Sequence, residues 1–189
     1  GEDQSGQMAS IGFSLYMEML EQAVESLKEG KEPTLDSVLA KQTEIELRIP
    51  ALLPEDYIPD VNIRLSQYKK IASCKTEDDL EDVQVELIDR FGLLPEATRN
   101  LFQISEMKLL SQQLGIHKIE ASQIGGFIEF AQQTKVDPGF IIGLIQAQPR
   151  VYKLEGPQRL KFKINTDKAE ERVKLIAGML EEFKKQQVA

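Results

Sequence analysis

The sequence has few of the residues on which metal and redox sites depend. Its 189 residues include one cysteine, Cys74, one histidine, His117, and no tryptophan. A single cysteine cannot form a disulfide within the chain, and one cysteine with one histidine cannot build a structural zinc site. We therefore expect a reducing, cytosolic environment. Cys74 is interpreted as a small apolar filler, and His117 as a structural or surface residue.

Long hydrophobic runs are also missing. No segment approaches the ~20 apolar residues that a membrane-spanning helix needs, and no signal peptide opens the chain, so no membrane association is expected. The hydrophobic content of 41% and the charged content of 29% are ordinary for a soluble protein. The chain starts with GEDQSGQM, which resembles the middle of a protein, and we interpret it as a fragment of a longer one.

Positive charge is in the minority, with 23 lysines and arginines against 31 aspartates and glutamates. The net charge of −8 argues against strong nucleic-acid binding by this chain, because such binding depends on clustered lysine and arginine. Protein partners are expected instead. The alternative, a nucleic-acid contact of a larger motor, requires convergence of the basic residues Arg64, Lys69, Lys70, Lys161 and Lys163.

Catalytic motifs are absent from the sequence: it contains no nucleophile elbow, no phosphate-binding loop and no paired cysteines. Gly125 and Gly126 indicate a hairpin turn. Consecutive acids at a helix start could bind Mg²⁺, but they point in several directions and converge poorly; these are Glu77, Asp78, Asp79, Glu81 and Asp82. We therefore expect no catalytic residue, metal or cofactor in this fragment.

The clearest pattern is a helix from Thr76 to Phe91. Leu80, Val83 and Leu87 recur at helical spacing and predict a buried face. Thr76 is a favourable N-cap with Asp79 at the capping-box position, and Gly92 suits the C-terminal end. The sequence therefore predicts both ends of this helix as well as its inner face.

An acidic stripe, defined by Asp78, Asp82, Glu86 and Asp89, lies opposite that buried face. Val85 lies on its edge, and no lysine or arginine falls within it. A helix that needs only solubility usually mixes charges of both signs. Two interpretations remain open: a solvated face that is simply unpaired, or a docking surface for a basic partner.

The remaining pattern predicts an α+β fold. A linking helix is predicted from Gly12 to Glu29 and a connector to residue 39, with the compact domain at 40–189. Within the domain we expect a helix hairpin and a third helix forming a helical layer, packed with a small antiparallel sheet of short hairpins. The segments are a strand in 43–50, helices in 60–74, 76–91, 94–114, 138–147 and 167–185, and hairpins in 116–132 and 151–164.

The opening GEDQSGQMASIGFSLYMEML and the helix end VELIDRFGLLP closely resemble the C-terminal end of bacterial transcription-repair coupling factor. The resemblance covers essentially the whole chain. It implies a parent that is an ATP-driven double-stranded DNA translocase, which displaces stalled RNA polymerase and recruits the nucleotide excision repair ATPase UvrA. Gln4 would belong to the motif that couples ATP hydrolysis to translocation, whereas the sites for ATP and Mg²⁺ would lie upstream.

The family's terminal domain is an autoinhibitory one, which docks on the UvrA-binding module of the same protein and hides it. The resemblance therefore favours the docking interpretation of the acidic stripe. Glu86 and Asp89, within VELIDRFG, would form salt bridges to arginines of that module, and Val85 would add an apolar contact. Asp78 and Asp82 would extend the docking surface along the helix.

Overall fold

The computed structural model describes residues 43–188. Contacts divide this part into two compact units, Pro50–Glu106 and Thr43–Ile49 with 107–188. The predicted linking helix, Gln4 and the expected domain boundary near residue 40 lie outside the described residues. Among residues 43–188, no helix combines the length and the hydrophobicity that a membrane-spanning segment requires.

Three helices dominate the first unit: α1 (Val61–Ser73), α2 (Glu77–Phe91) and the beginning of α3 (Glu96–Leu114), which continues into the second unit. α1 begins where the Asp60 carboxylate accepts hydrogen bonds from the amides of Asn62 and Ile63. Three residues separate α1 from α2, and the two helices pack together as the predicted helix hairpin.

The buried face of α1 differs from the predicted one. Helical spacing predicts that Val61, Leu65, Tyr68 and Ala72 face inward, but Val61 is exposed and Leu65 and Ala72 are only half-buried. The core side carries Gln67, Tyr68 and Ile71. The Tyr68 hydroxyl accepts a hydrogen bond from the buried Leu53 amide at 2.7 Å, and this bond holds the Tyr68 side of α1 toward the core.

Besides the end of α3, the second unit contains one five-stranded sheet and two helices. The strands are β1 (Glu44–Glu46), β2 (Ile116–Ala121), β3 (Gly126–Phe130), β4 (Tyr152–Glu155) and β5 (Arg159–Phe162), in the order β1-β2-β3-β5-β4. The helices are α4 (Pro138–Ala147) and α5 (Ala169–Lys185). These elements confirm the α+β class and both predicted hairpins.

The expectation of a purely antiparallel sheet is wrong, because β1 pairs with β2 in parallel. Parallel neighbours need a long connection, and the segment between β1 and β2 contains three helices. The Thr43 hydroxyl also donates to the Ile116 carbonyl at 2.7 Å. β1 is shorter than the predicted strand because Arg48, with φ +55°, turns the chain.

The core of the second unit lies on one face of the sheet. Helical spacing in α5 predicts an inward face, and all four of its residues are buried, namely Val173, Ile176, Leu180 and Phe183. They are joined by strand residues such as Ile119, Ile128 and Leu160. The apolar residues of α4 predict that Phe140, Ile141, Leu144 and Ile145 face inward. Only Ile141 is buried and the other three are half-buried, so this prediction is only partly right.

A buried arginine connects three segments of this unit. Arg172, at the start of α5, donates to the Leu47 carbonyl at 2.8 Å and to the Thr166 carbonyl at 2.9 Å. Its Nε also donates to the Thr166 hydroxyl at 3.2 Å. The guanidinium thus binds the end of β1 and the segment before α5 to the helix itself. Helical periodicity alone gave no signal for this role.

Candidate protein-docking surface

Local interactions build α2 as predicted. The Thr76 hydroxyl accepts from the Asp79 amide at 3.1 Å, and the Asp79 carboxylate accepts from the Thr76 amide at 3.2 Å, which completes a capping box. The Asp79 carboxylate also accepts a hydrogen bond from the Lys75 amide at 3.0 Å. This bond is the main reason why the pKa of Asp79 is lowered, and the hydrogen bonds with Thr76 lower it further. At the other end Gly92 has φ +92°, a conformation that favours glycine.

The two faces of α2 have opposite characters. Leu80, Val83 and Leu87 are buried. On the opposite side Asp78, Asp82, Val85 and Asp89 are all exposed, and Val85 leaves 53% of its surface to solvent. Within residues 43–188 none of the three aspartates forms an ion pair. We call these four residues the outer face of α2.

Glu86 is different, and the expectation of an unpaired stripe is wrong for this residue. Lys70 of α1 lies 2.8 Å from one Glu86 oxygen and 3.0 Å from the other, and Arg90 is 3.3 Å from the carboxylate. The Lys70 hydrogen bond, and after it the charges of Lys70 and Arg90, lower the pKa of Glu86. Helix counting misses this pair because Lys70 belongs to the neighbouring helix. Glu86 therefore stabilises the helix hairpin.

Two exposed apolar residues, one on α2 and one just after it, were not part of the sequence prediction. Ile88 follows Val85 by three positions and is exposed, so the two side chains are neighbours on the helix. Leu93, just after the helix, is 87% exposed. The spacing of Ile88 from Val85 was a usable signal. Val85 and Ile88 together provide an apolar contact that the carboxylates alone would lack.

The inner edge of α2 brings carboxylates close to α3. Glu106 is half-buried, and this burial raises the pKa of its carboxyl group, with smaller contributions from the charges of Glu77 and Glu81. Both factors disfavour the ionised form. The folded state thus holds this proton more tightly than the unfolded chain does.

We expect Glu106→Gln to stabilise the protein at neutral pH, by less than about 1 kcal/mol because solvent screens the partly exposed group. For a raised folded-state pKa, stability rises as the pH falls through that pKa, so the advantage of glutamine disappears in acid. Urea unfolding at pH 7 and pH 4 measures the difference. Exposed Glu181→Gln is the control, and an equal effect of the two substitutions would contradict this explanation.

The other chemically active residues show no site. Cys74 is half-buried and donates to the Lys70 carbonyl at 3.2 Å, and burial, followed by the charges of Asp79 and Asp82, raises the pKa of its thiol. His117 lies exposed on β2. Among residues 43–188, no group of three histidine, cysteine, aspartate or glutamate side chains is placed to hold a metal ion.

The basic residues of the nucleic-acid alternative are largely engaged with this chain. Lys70 binds Glu86, the Arg64 guanidinium donates to the Ile58 carbonyl at 2.9 Å, and Lys161 lies 3.9 Å from Glu155. The solvated face of the sheet alternates in sign across neighbouring strands, through Glu44, Lys118, Glu129, Arg159 and Glu155. Such a face differs from the clustered basic surface that binds phosphates.

Comparison with known proteins gives a consistent result. The family model of the TRCF domain matches residues 47–141, about half of the chain. The chain is 52% identical over its full length to the transcription-repair-coupling factor of Escherichia coli strain K12. It is 53% identical over 93% of its length to that of Haemophilus influenzae, and 30% identical over 85% to that of Myxococcus xanthus.

The fold comparison agrees with the sequences. A crystal structure of the C-terminal domain of a transcription-repair coupling factor has a TM-score of 0.59 and 27% identity, covering 76% of this chain and 94% of that one. The chain spans only 16% of the length of the Escherichia coli relative. It belongs to the transcription-repair coupling factor family and carries the family's TRCF domain.

Proposed function

We propose that this domain is an autoinhibitory one: the outer face of α2 docks on the UvrA-binding module of the same coupling factor and masks it. The observation that carries the proposal is the combination of three exposed aspartates, unpaired within the described residues, with exposed Val85 and Ile88. Val85 and Ile88 lie beside the aspartates on the helix surface, so this face offers an apolar contact as well as negative charge. The complementary surface would present arginines around an apolar contact.

Exposed charges of this kind suit a docking contact that must be reversible. Ion pairs at the rim of an interface determine orientation and association rate more than affinity, and each exposed pair contributes ~0.2–1 kcal/mol. A masked state needs only a few kcal/mol of bias to dominate the population. Three aspartates and an apolar pair are sufficient for this while leaving the contact reversible.

The whole protein would supply the activity that this domain restrains. The resemblance assigns to the parent an ATP-dependent double-stranded DNA translocase that displaces stalled RNA polymerase in the cytoplasm and recruits UvrA. ATP and Mg²⁺ would be bound by its motor, outside this chain. RNA polymerase and UvrA would thus be indirect partners of the domain.

The test is UvrA capture by the full-length coupling factor without ATP. We expect the double variant Asp82→Lys with Asp89→Lys to capture about tenfold more UvrA than the wild type, since repulsion replacing attraction at two positions costs at least ~1.4 kcal/mol. Glu86 is left intact because its loss would disturb the contact between α1 and α2.

A matched control carries Glu55→Lys with Glu181→Lys, two exposed glutamates outside α2 that give the same change in net charge. Its UvrA capture should remain at the wild-type level. If the α2 variant also remains there while deletion of residues 40–189 raises capture, the domain masks UvrA binding through another surface. If neither changes capture, the domain is not a mask.

A further inference from the structure

The edge strand β4 presents an unpaired backbone. Within residues 43–188, β4 is the last strand of the sheet and pairs only with β5. The Lys163 amide donates to the Val151 carbonyl at 2.8 Å, and antiparallel alternation then turns the backbone of Lys153 and Glu155 toward β5. The amide and carbonyl of Leu154 consequently point away from β5, and they have no hydrogen-bond partner among residues 43–188.

The charged residues of β4 can pair with those of a second copy of β4. Natural edge strands often carry lysines that repel another copy, whereas β4 carries Lys153 and Glu155 on either side of Leu154. In an antiparallel pair centred on Leu154, Lys153 of each strand faces Glu155 of the other. Lys153 also lies opposite Lys161 on β5, so a carboxylate from outside would offset two adjacent positive charges.

The helix that packs against β4, α4, adds an uncharged and partly exposed apolar surface beside this edge. α4 reads PGFIIGLIQA and contains no charged residue, and Ile142 on it is exposed. Its end is tied to β4, because the Gln148 carbonyl accepts from the Tyr152 amide at 3.0 Å. Leu154 is 44% exposed although it pairs with the buried Leu160, since it lies at the sheet edge.

We propose that two copies of this chain associate through β4 and α4, with the two β4 strands paired antiparallel about Leu154. The two Leu154 residues exchange their free backbone hydrogen bonds, and their side chains meet on the core side of a continuous sheet. The two-fold axis is perpendicular to the sheet, so both α4 helices lie on the same side of it. We choose a second copy of this chain as the partner because the Lys153 and Glu155 charges of one β4 strand complement those of another.

The interface is small. One strand pairing and one apolar contact bury less than the ~1,200–2,000 Å² of a stable complex, so association should be weak and concentration-dependent. Sedimentation equilibrium of the 189-residue chain, from about 10 µM to about 1 mM, should show a mass rising from 21.4 kDa toward twice that value. Hydrogen exchange at the Leu154 amide should slow over the same range.

A charge swap tests the register. Lys153→Glu and Glu155→Lys each place like charges opposite one another and should weaken self-association about tenfold. An equimolar mixture of the two variants restores both opposite-charge pairs and should associate as tightly as the wild type. Both positions are exposed, so the fold should be retained, which circular dichroism verifies.

Three results would overturn the proposal. The wild-type chain could remain monomeric up to the highest concentration, with unchanged exchange at Leu154. Self-association could be equally strong in both single variants, which would locate it on another surface. The mixture could associate no better than either variant alone, which would exclude the antiparallel register about Leu154.

Discussion

Replacing Arg172 with leucine should lower the free energy of unfolding by about 3–5 kcal/mol, a large part of the stability of a domain of this size. Arg172 is 4% exposed, and its guanidinium supplies hydrogen bonds to the Leu47 and Thr166 carbonyls and the Thr166 hydroxyl. Leucine fills the space but leaves these acceptors buried without a donor. Urea unfolding of the 189-residue chain, followed by circular dichroism, measures the loss.

Two further variants separate hydrogen bonding from charge. Arg172→Lys keeps the positive charge, but one ammonium nitrogen cannot reach all three acceptors that the guanidinium reaches. Most of the loss in unfolding free energy should therefore remain. Lys174→Leu, two residues further along α5, removes an exposed charge and should change stability by no more than ~0.5 kcal/mol. If Arg172→Leu unfolds at the same urea concentration as Lys174→Leu, the hydrogen bonds of Arg172 do not stabilise the fold.

Gly126→Ala should destabilise the sheet by about 3 kcal/mol or more. Gly126 pairs with Ala121 at the tight end of the hairpin between β2 and β3. A Cβ atom there would overlap the Glu120 carbonyl oxygen and lie 2.8 Å from the Ala121 Cα. Both are backbone atoms in a paired strand, so they cannot move without breaking the pairing. Thermal unfolding should show a melting temperature lowered by roughly 10 °C.

The chain offers matched controls for this substitution. Gly143 and Gly178 lie within α4 and α5, and a Cβ atom at either position meets nothing within 4 Å. Gly143→Ala and Gly178→Ala should therefore stabilise the protein by ~0.5–1 kcal/mol, because alanine favours the helix. A melting temperature for Gly126→Ala that equals or exceeds that of these variants would show that the strand pairing tolerates the methyl group.

The acidic stripe shows which features of a helix its periodicity predicts and which it does not. Helical spacing correctly separated Leu80, Val83 and Leu87 from the exposed Asp78, Asp82 and Asp89, because both sets depend on 3.6 residues per turn. It failed for Glu86, whose partner Lys70 lies on another helix. A mutational test that includes Glu86 would mix docking with the stability of the helix hairpin, and only the structure reveals this.

The sequence by itself determined the local elements: the capping box at Thr76, the hairpin glycines and the inward face of α5. Each depends on residues a few positions apart. The tertiary structure alone decided the parallel pairing of β1 with β2 and the contact of Arg172 with Leu47. These contacts join segments far apart in the chain, and their partners are chosen by packing and by the need to satisfy buried polar groups.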